Sequence, residues 1–506
     1  MRIPRQFLPL ILLPATLGTG DGAAVPREPA VAGEFYPAEP ARLESAVRGF
    51  LSDALPPRGE PPIALVLPHA GYIFSGQIAA DGWRQAMTGT YDLVVLLGTN
   101  HTVPEFRGVS IYAGPGFRTP LGVAEVDTRL ASDLIAADPE FVFDPAPHLR
   151  EHSIEVQVPF VQVAFPGVKI LPAIVGRPDP DLCERFGKAL ARAVGSRKVL
   201  VVASSDLSHY PAYDDARSSD ASILTAIASL DASALRRAIG VEMRKGRPNL
   251  ETCACGEAPI LAAIAAAKAL GATRGVVVSR ANSGDTAVGN RERVVGYGAV
   301  ALGRGPVGAD LSALTPVPTP PADAPLGPAD KRALLAFARR SIERFLAGGT
   351  APLARGLPPV ADRKQGVFVT LTKHGELRGC IGHMGVDLPL GQATGMVALD
   401  AAFSDQRFPP LEPSELHEID IEVSVLTPLV HVSGSDAIKI GEDGVVIRKA
   451  GRSAVFLPEV PVEQGWDKTA LLAHLCVKAG LPIDAWTSGA EFYTFHSIHF
   501  RESDWR

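Results

Sequence analysis

Cysteine is scarce in this chain: five in 506 residues, scattered and odd in number. That excludes a disulfide framework. Cys253 and Cys255 stand too close together for a comfortable bridge, so a metal or thiolate role is the more informative reading of them. No basic block exists, and the formal net charge is −6. Phosphate neutralisation needs clustered Lys and Arg, so nucleic acid is excluded as a partner. No apolar run is long enough for a mature helix to span a bilayer, which excludes a stable membrane span. Compact CxxC and HExxH metal patterns, a GxSxG elbow and internal repeats are all missing.

What is there describes a well-buried globular protein, with 46% hydrophobic and 21% charged residues. The length suggests about three domains. Arg2 and Arg5 precede FLPLILLPATLG, and small residues follow up to Ala24. Residues 1–24 therefore read as a secretory signal peptide or a disordered leader, and are set apart from the fold.

The stretch 63–76, IALVLPHAGYIFSG, organises the rest. An apolar strand, Ile63–Leu67, stops at Pro68 and delivers His69. The pattern returns twice. Asp92–Gly98 ends in Thr99, Asn100 and His101, and Lys198–Ala203 ends in Ser204, Ser205, Asp206, Leu207, Ser208 and His209. Open α/β sheets place ligands beyond the carboxyl ends of their strands. Further strands are expected at Val168–Val175, Gly275–Ser279 and Val294–Leu302, with Ala-rich helices at Ala221–Leu230 and Ala258–Leu270. Residues 30–303 thus predict an α/β domain with a largely buried sheet.

Residues 304–329, rich in Pro, Gly and Ala, read as a linker. Beyond it, Asp330–Leu346 has helical apolar spacing with Asp330 as cap. Gly366–Leu371, Ile419–Leu426, Val445–Arg448 and Ser453–Leu457 read as strands. Residues 330–506 predict a separate α+β domain.

Cys255 lies just before a helix start marked by Pro259, where the dipole favours a thiolate. With the imidazoles of His69 and His101 it could form a three-ligand metal site with open positions. The bland alternative is a small buried cysteine and two hydrogen-bonded loop histidines. Asp206 can fix the tautomer of His209 or join it in an acid–base relay. The neighbouring serines raise a Ser-His-Asp hydrolase, but they look more like turn and cap residues. His152 and Glu155 share a face if helical, as metal ligands or as a surface ion pair. Asn282 to Asp285 reads as a polar turn. In the second half, Cys380 sits in LRGCIG beside Arg378, as an activated thiol or a buried structural cysteine. Asp405 and Arg407 form either a site or a local pair.

These pieces carry a resemblance. AGEFYP at 32–37, PHAGY at 68–72, LGTNH at 97–101, EHSIE at 151–155, SSD at 204–206, Cys255-Gly256, NSGD at 282–285 and RVVGY at 293–297 make the first half resemble the Memo family. LRGCIG at 377–382, residues 401–409 and the strand ending LTP at 426–428 make the second half resemble an AMMECR domain. Together they resemble fused A and B proteins of the AmmeMemoRadiSam system. The resemblance implies a Memo-like fold similar to class III extradiol dioxygenases. It implies metal ligation by His69, His101 and Cys255, with Asp206, His209 and His152 around the pocket. Fe(II) is the implied metal, with copper and zinc as alternatives. A radical-SAM protein is the implied partner, and a phenol- or indole-type aromatic the implied substrate. An intracellular, cytoplasmic location follows from the family, and a periplasmic one from the leader. Arg378, Cys380, Asp405 and Arg407 would line a cleft in the second domain, although His383 departs from the small hydroxyl residue expected there. The competing readings are a non-catalytic metal carrier or phospho-ligand module, and a hydrolase or transferase with Cys380 or Ser205 as nucleophile.

Overall fold

Uninterrupted apolar runs become the central strands of a nine-stranded sheet. The computed structural model describes residues 25–315, 321, 325–385 and 387–505, so the leader at 1–24 lies outside the described residues. The strands are β1 (Ala64–Leu67), β2 (Leu93–Thr99), β3 (Val109–Ile111), β4 (Phe141–Val142), β5 (Lys169–Val175), β6 (Val199–Ser204), β7 (Arg274–Asn282), β8 (Gly296–Gly303) and β9 (Gly308–Asp310). Their order is β9-β7-β8-β1-β6-β2-β5-β3-β4. The central four, β1, β6, β2 and β5, are parallel; β8 runs antiparallel to β1.

Side chains alternate across this sheet with period two. Ala64, Val66, Val95, Leu97, Val201 and Ala203 pack towards α3 (Pro180–Val194) and α4 (Glu257–Ala269). Leu65, Leu67, Val94, Leu96, Leu200 and Val202 pack towards α1 (Pro40–Ser52) and α2 (Tyr72–Ala86). Because helices cover both faces, every residue of β1, β2 and β6 is buried. The carboxyl ends of these three adjacent strands therefore open together at one edge.

The second domain starts with α5 (Pro328–Gly348) and stacks it with α6 (Leu390–Phe403) on an antiparallel sheet. That sheet is ordered Glu376–His383, Val367–Lys373, Ile419–Leu426, Ser497–Arg501. Ile419, Ile421, Val423 and Val425 all face its core, as their alternation requires. A smaller four-stranded sheet contains the hairpin Gly444–Lys449 and Arg452–Phe456.

Several boundaries differ from the sequence reading. The helix expected from Ala221 begins at Tyr213, because the polar run ahead of it still buries Ala216, Ser219 and Asp220. Strand β7 continues past Ser279 to Asn282. Inside the expected linker, β9 adds to the sheet edge beside β7, and Arg274 meets Asp310 at 3.4 Å. Asp330 does not stand at the N-cap. It sits inside the first turn of α5 and accepts the Gly327 N–H at 2.9 Å. Among the described residues, no helix is long and apolar enough to cross a membrane.

Glu155 is no part of a surface ion pair. It is fully buried against the Arg27 guanidinium. It also accepts from the Tyr36 hydroxyl at 2.6 Å and from the backbone N–H groups of Ala30 and Val31 at 2.8 and 3.0 Å. It anchors the described N-terminal segment to the sheet domain. Glu155→Ala strands the Arg27 charge and should cost about 3–5 kcal/mol in urea unfolding of the full chain. Arg27→Met with Glu155→Leu should recover only part of that, because Tyr36 and the two backbone N–H groups still lack an acceptor.

Candidate metal centre

The three parallel strand ends and the start of α4 converge. His69 follows β1, His101 follows β2, and Cys255 precedes α4. One ligand atom from each lies within 4.8 Å of the others. The Cys255 Sγ is 3.1 Å from His69 Nε2, and the two imidazole centroids are 5.2 Å apart. His152 stacks on His101 at 4.8 Å and 13°. Gly256 lets the Cys255 loop reach the end of β6, since a Cβ there would come within 2.5 Å of the Ser204 carbonyl and the Ser205 side chain. The Ser205 hydroxyl donates to the Asp206 carbonyl at 2.7 Å and accepts the Gly256 N–H at 2.9 Å, so it secures this loop.

Buried polar groups set the orientations. Glu151 accepts from His101 twice, at 2.8 Å from the ring Nδ1 and at 2.8 Å from the backbone N–H. An Nδ1–H held by a carboxylate leaves the Nε2 lone pair for a metal. Burial alone would raise the Glu151 pKa. The His101 bonds, aided by the Ser153 N–H, outweigh it and hold the carboxyl at about 2. Glu151 was visible within EHSIE but carried no signal of its role, because its partner lies 50 residues away. At His69, Nδ1 faces the Ser204 hydroxyl at 3.2 Å, which in turn accepts from Gln157 Nε2 at 3.0 Å.

Asp206 does not fix the His209 tautomer. Its Oδ1 accepts the backbone N–H groups of His69 and Ala70 at 2.8 and 3.2 Å, tying the end of β6 to the end of β1. Burial raises its carboxyl to about 6 against those bonds. His209 is oriented instead by the Leu207 carbonyl, 3.0 Å from Nδ1. A carbonyl only accepts, so Nδ1 carries a proton and Nε2 is the ring nitrogen left free of that bond. His209 and His152 both line the cavity above the histidine–cysteine cluster.

The donor set suits a first-row transition ion and not an oxygen-seeking one such as Mg2+. Burial, then the neighbouring His101, His152 and His209, lower the His69 pKa far below its usual value, so the imidazole is neutral. The Cys255 thiol is displaced the other way. Burial raises it, helped by the Asp206 charge, and this overrides the helix dipole expected to favour a thiolate. A bound cation supplies the positive charge that deprotonates such a thiol. Fe(II), Zn(II) and copper all suit two imidazoles and one thiolate.

The cavity over the cluster measures about 630 Å³ and is walled by Phe35, Phe74, Tyr210, Tyr297, Ser283 and Val295. A larger one of about 760 Å³ lies among α3, α4 and the helix Ala232–Arg244, with no histidine or cysteine in its lining. Its chemistry is only that of exposed ion pairs over an apolar floor.

In the second domain Cys380, Asp405 and Arg407 meet, while Arg378 pairs with Glu415. The Arg378 pair with Glu415 is bidentate, at 3.0 and 2.8 Å. Arg407 is the cation beside Cys380, donating to its carbonyl at 2.9 Å and pairing with Asp405 at 2.7 Å. Asp405 also accepts the Cys380 N–H at 2.9 Å, and Thr370 donates to the Cys380 Sγ at 3.2 Å. His383 pairs with Asp387 at 2.9 Å. None of these residues lines the histidine–cysteine cavity.

Two family models match this chain: Memo-like protein over residues 27–301 and AMMECR1 over residues 335–500. The MEMO1 family protein of Metallosphaera sedula is 34% identical over 284 residues, spanning 54% of this chain and 97% of that protein. A MEMO1 family protein of Aquifex aeolicus is 37% identical over 275 residues, spanning 54% and 97%. A protein of Thermococcus onnurineus is 44% identical over 181 residues, spanning 33% of this chain and 88% of its own. The crystal structure of an uncharacterized protein from Pyrococcus horikoshii is 39% identical, covers 34% of this chain and 91% of its own, and has a TM-score of 0.32.

Glu151→Gln removes the charge that orients His101. Metal affinity should fall roughly 10- to 100-fold in a competition titration against a chromophoric chelator. A second outcome concerns pH. Asp220 lies under the Ser208 N–H, which it accepts at 3.0 Å, and burial raises its pKa to about 7 against that bond. The unfolded chain releases this proton near pH 4. Between those values the folded state binds more protons, so stability falls as pH rises from about 4 to 7. Asp220→Asn should flatten that decline in thermal midpoints measured across the same window.

Proposed function

The chain belongs to the Memo-like protein family and carries an AMMECR1 domain behind it, and on that premise we propose a metal-dependent redox enzyme acting on a small aromatic substrate. His69, His101 and Cys255 would hold one metal ion, Fe(II) first. The observation that carries this reading is the meeting of two imidazoles and a thiol beneath a cavity walled by aromatic rings. A fold likeness to class III extradiol dioxygenases belongs to the same proposal. So does a radical-SAM protein that supplies the phenol- or indole-type substrate.

When bound, the metal supplies a redox-active centre at which O2 can react. The residues of the chain do the rest. Phe35, Phe74, Tyr210 and Tyr297 sandwich the substrate ring and exclude water from it. His209 presents Nε2 to the substrate hydroxyl and takes its proton, its Nδ1–H remaining on the Leu207 carbonyl. His152 is kept neutral chiefly by burial and offers a second proton acceptor across the cavity. Asp206 keeps the His69 backbone in place and so acts by positioning.

The test is metal content of protein purified without oxygen, for wild type and for His69→Ala, His101→Ala and Cys255→Ala, with O2 uptake recorded on iron-loaded protein. Near-stoichiometric iron in wild type, lost in each variant, with O2 consumed in the presence of phenols or indoles, is the expected result. Metal indifferent to all three changes overturns the site. Metal held tightly without O2 uptake replaces the enzyme with a carrier. His209→Gln should keep its metal and lose roughly 100-fold or more in turnover.

A further inference from the structure

The wall of the metal cavity is shared with the second domain. Ser283 lines the cavity, and its loop is pinned to the start of β8: its N–H donates to the Val295 carbonyl at 2.9 Å, and its hydroxyl accepts the Val295 N–H at 3.1 Å. The next residues are held from outside. Gln392, on the first turn of α6 and buried, donates its side-chain amide to the Gly284 carbonyl at 2.7 Å and the Thr286 carbonyl at 3.1 Å. Its oxygen accepts Arg291 Nη2 at 2.9 Å, so the amide cannot flip without losing all three bonds. Arg291 in turn lies 4.0 Å over the Tyr213 ring.

A second grip lies at α1 and α2. Arg355, of the second half, donates to both oxygens of the fully buried Asp81 and to the Asp53 carbonyl at 2.9 Å. Arg344 meets Asp53 at 3.1 Å. Gly348 brings α5 against α1 so closely that a Cβ would stand 3.0 Å from Ala46. Among the described residues Asp81 pairs with no other cation, so without the second half a buried charge would stand unpaired. The Metallosphaera relative is matched over 97% of its length by 54% of this chain, and the Thermococcus relative over 88% of its length by 33% of it. Two separate family models cover the halves, and the buried core of the second domain is separate from those of the first, so the contacts between them are not forced by one continuous core.

We propose that the AMMECR1 domain is docked on the Memo-like domain independently of the linker, and that Gln392 is a positioning residue which fixes the Ser283 wall of the metal cavity. The docking stands on the contacts alone; its consequence for the site rests on the metal reading above.

The test uses the full chain with a protease site placed between Thr315 and Pro325. After cleavage the two halves should co-elute at micromolar concentration. In uncleaved protein, Gln392→Ala and the isosteric Gln392→Glu, which lacks the donors, should both speed hydrogen exchange over residues 283–295 roughly tenfold or more. Both variants should also shift the Cys255-to-cobalt charge-transfer band of Co(II)-loaded protein, which a loss of stability elsewhere would leave in place. Separation of the cleaved wild-type halves overturns the docking. Unchanged exchange in both variants overturns the role of Gln392. If wild type shows no cobalt band, the metal reading fails, and exchange and co-elution alone decide this inference.

Discussion

The site depends on buried carboxylates that have no water to solvate them and so must recruit protein N–H groups. Asp206 recruits the backbone of His69 and Ala70, and Glu151 recruits both the ring and the backbone of His101. Each bond joins a strand end to a distant segment, and each satisfies a charge that would otherwise oppose folding. The histidines are therefore aimed by the same interactions that close the carboxyl edge of the sheet. If the cluster holds a metal as proposed, its ligands are largely organised before a cation arrives, and that cation would have to displace a proton from a Cys255 thiol that burial keeps protonated.

The same logic extends outwards. Glu155 uses its carboxylate to fasten the N-terminal segment, and Asp81 uses its own to receive Arg355. Around the cavity, charge is thus handled by structure and the walls are left aromatic. That division suits the aromatic substrate proposed above: polar groups at the bottom, rings at the sides.

The second domain contributes less through its own motif than through its edge. In RGCIG, Gly379 is forced by the α6 backbone, since a Cβ would stand 2.1 Å from the Ala401 carbonyl, and Arg378 is spent on Glu415. Gln392 and Arg355, outside that motif, make the contacts that reach the other half.

The sequence by itself determined the long central strands and the candidate ligands, but not the short strands β3, β4 and β9. Continuous apolar runs in Ala64–Leu67, Leu93–Thr99 and Val199–Ser204 can be satisfied only by burial on both faces, and a polar residue directly after such a run has to emerge at a strand end. His69 and His101 are legible for that reason. Cys255 is legible from the helix start beside it, and Ile419–Leu426 from its alternation. Only the tertiary structure decided the partners. Whether Asp206 serves His209 or the His69 backbone, whether Glu155 is exposed or locked to Arg27, and whether Arg378 or Arg407 stands beside Cys380 all depend on contacts across many residues or on side-chain direction. Local periodicity carries neither. A hydrogen bond is selected by which donor is within about 3 Å once the chain has packed, and that distance is a property of the fold.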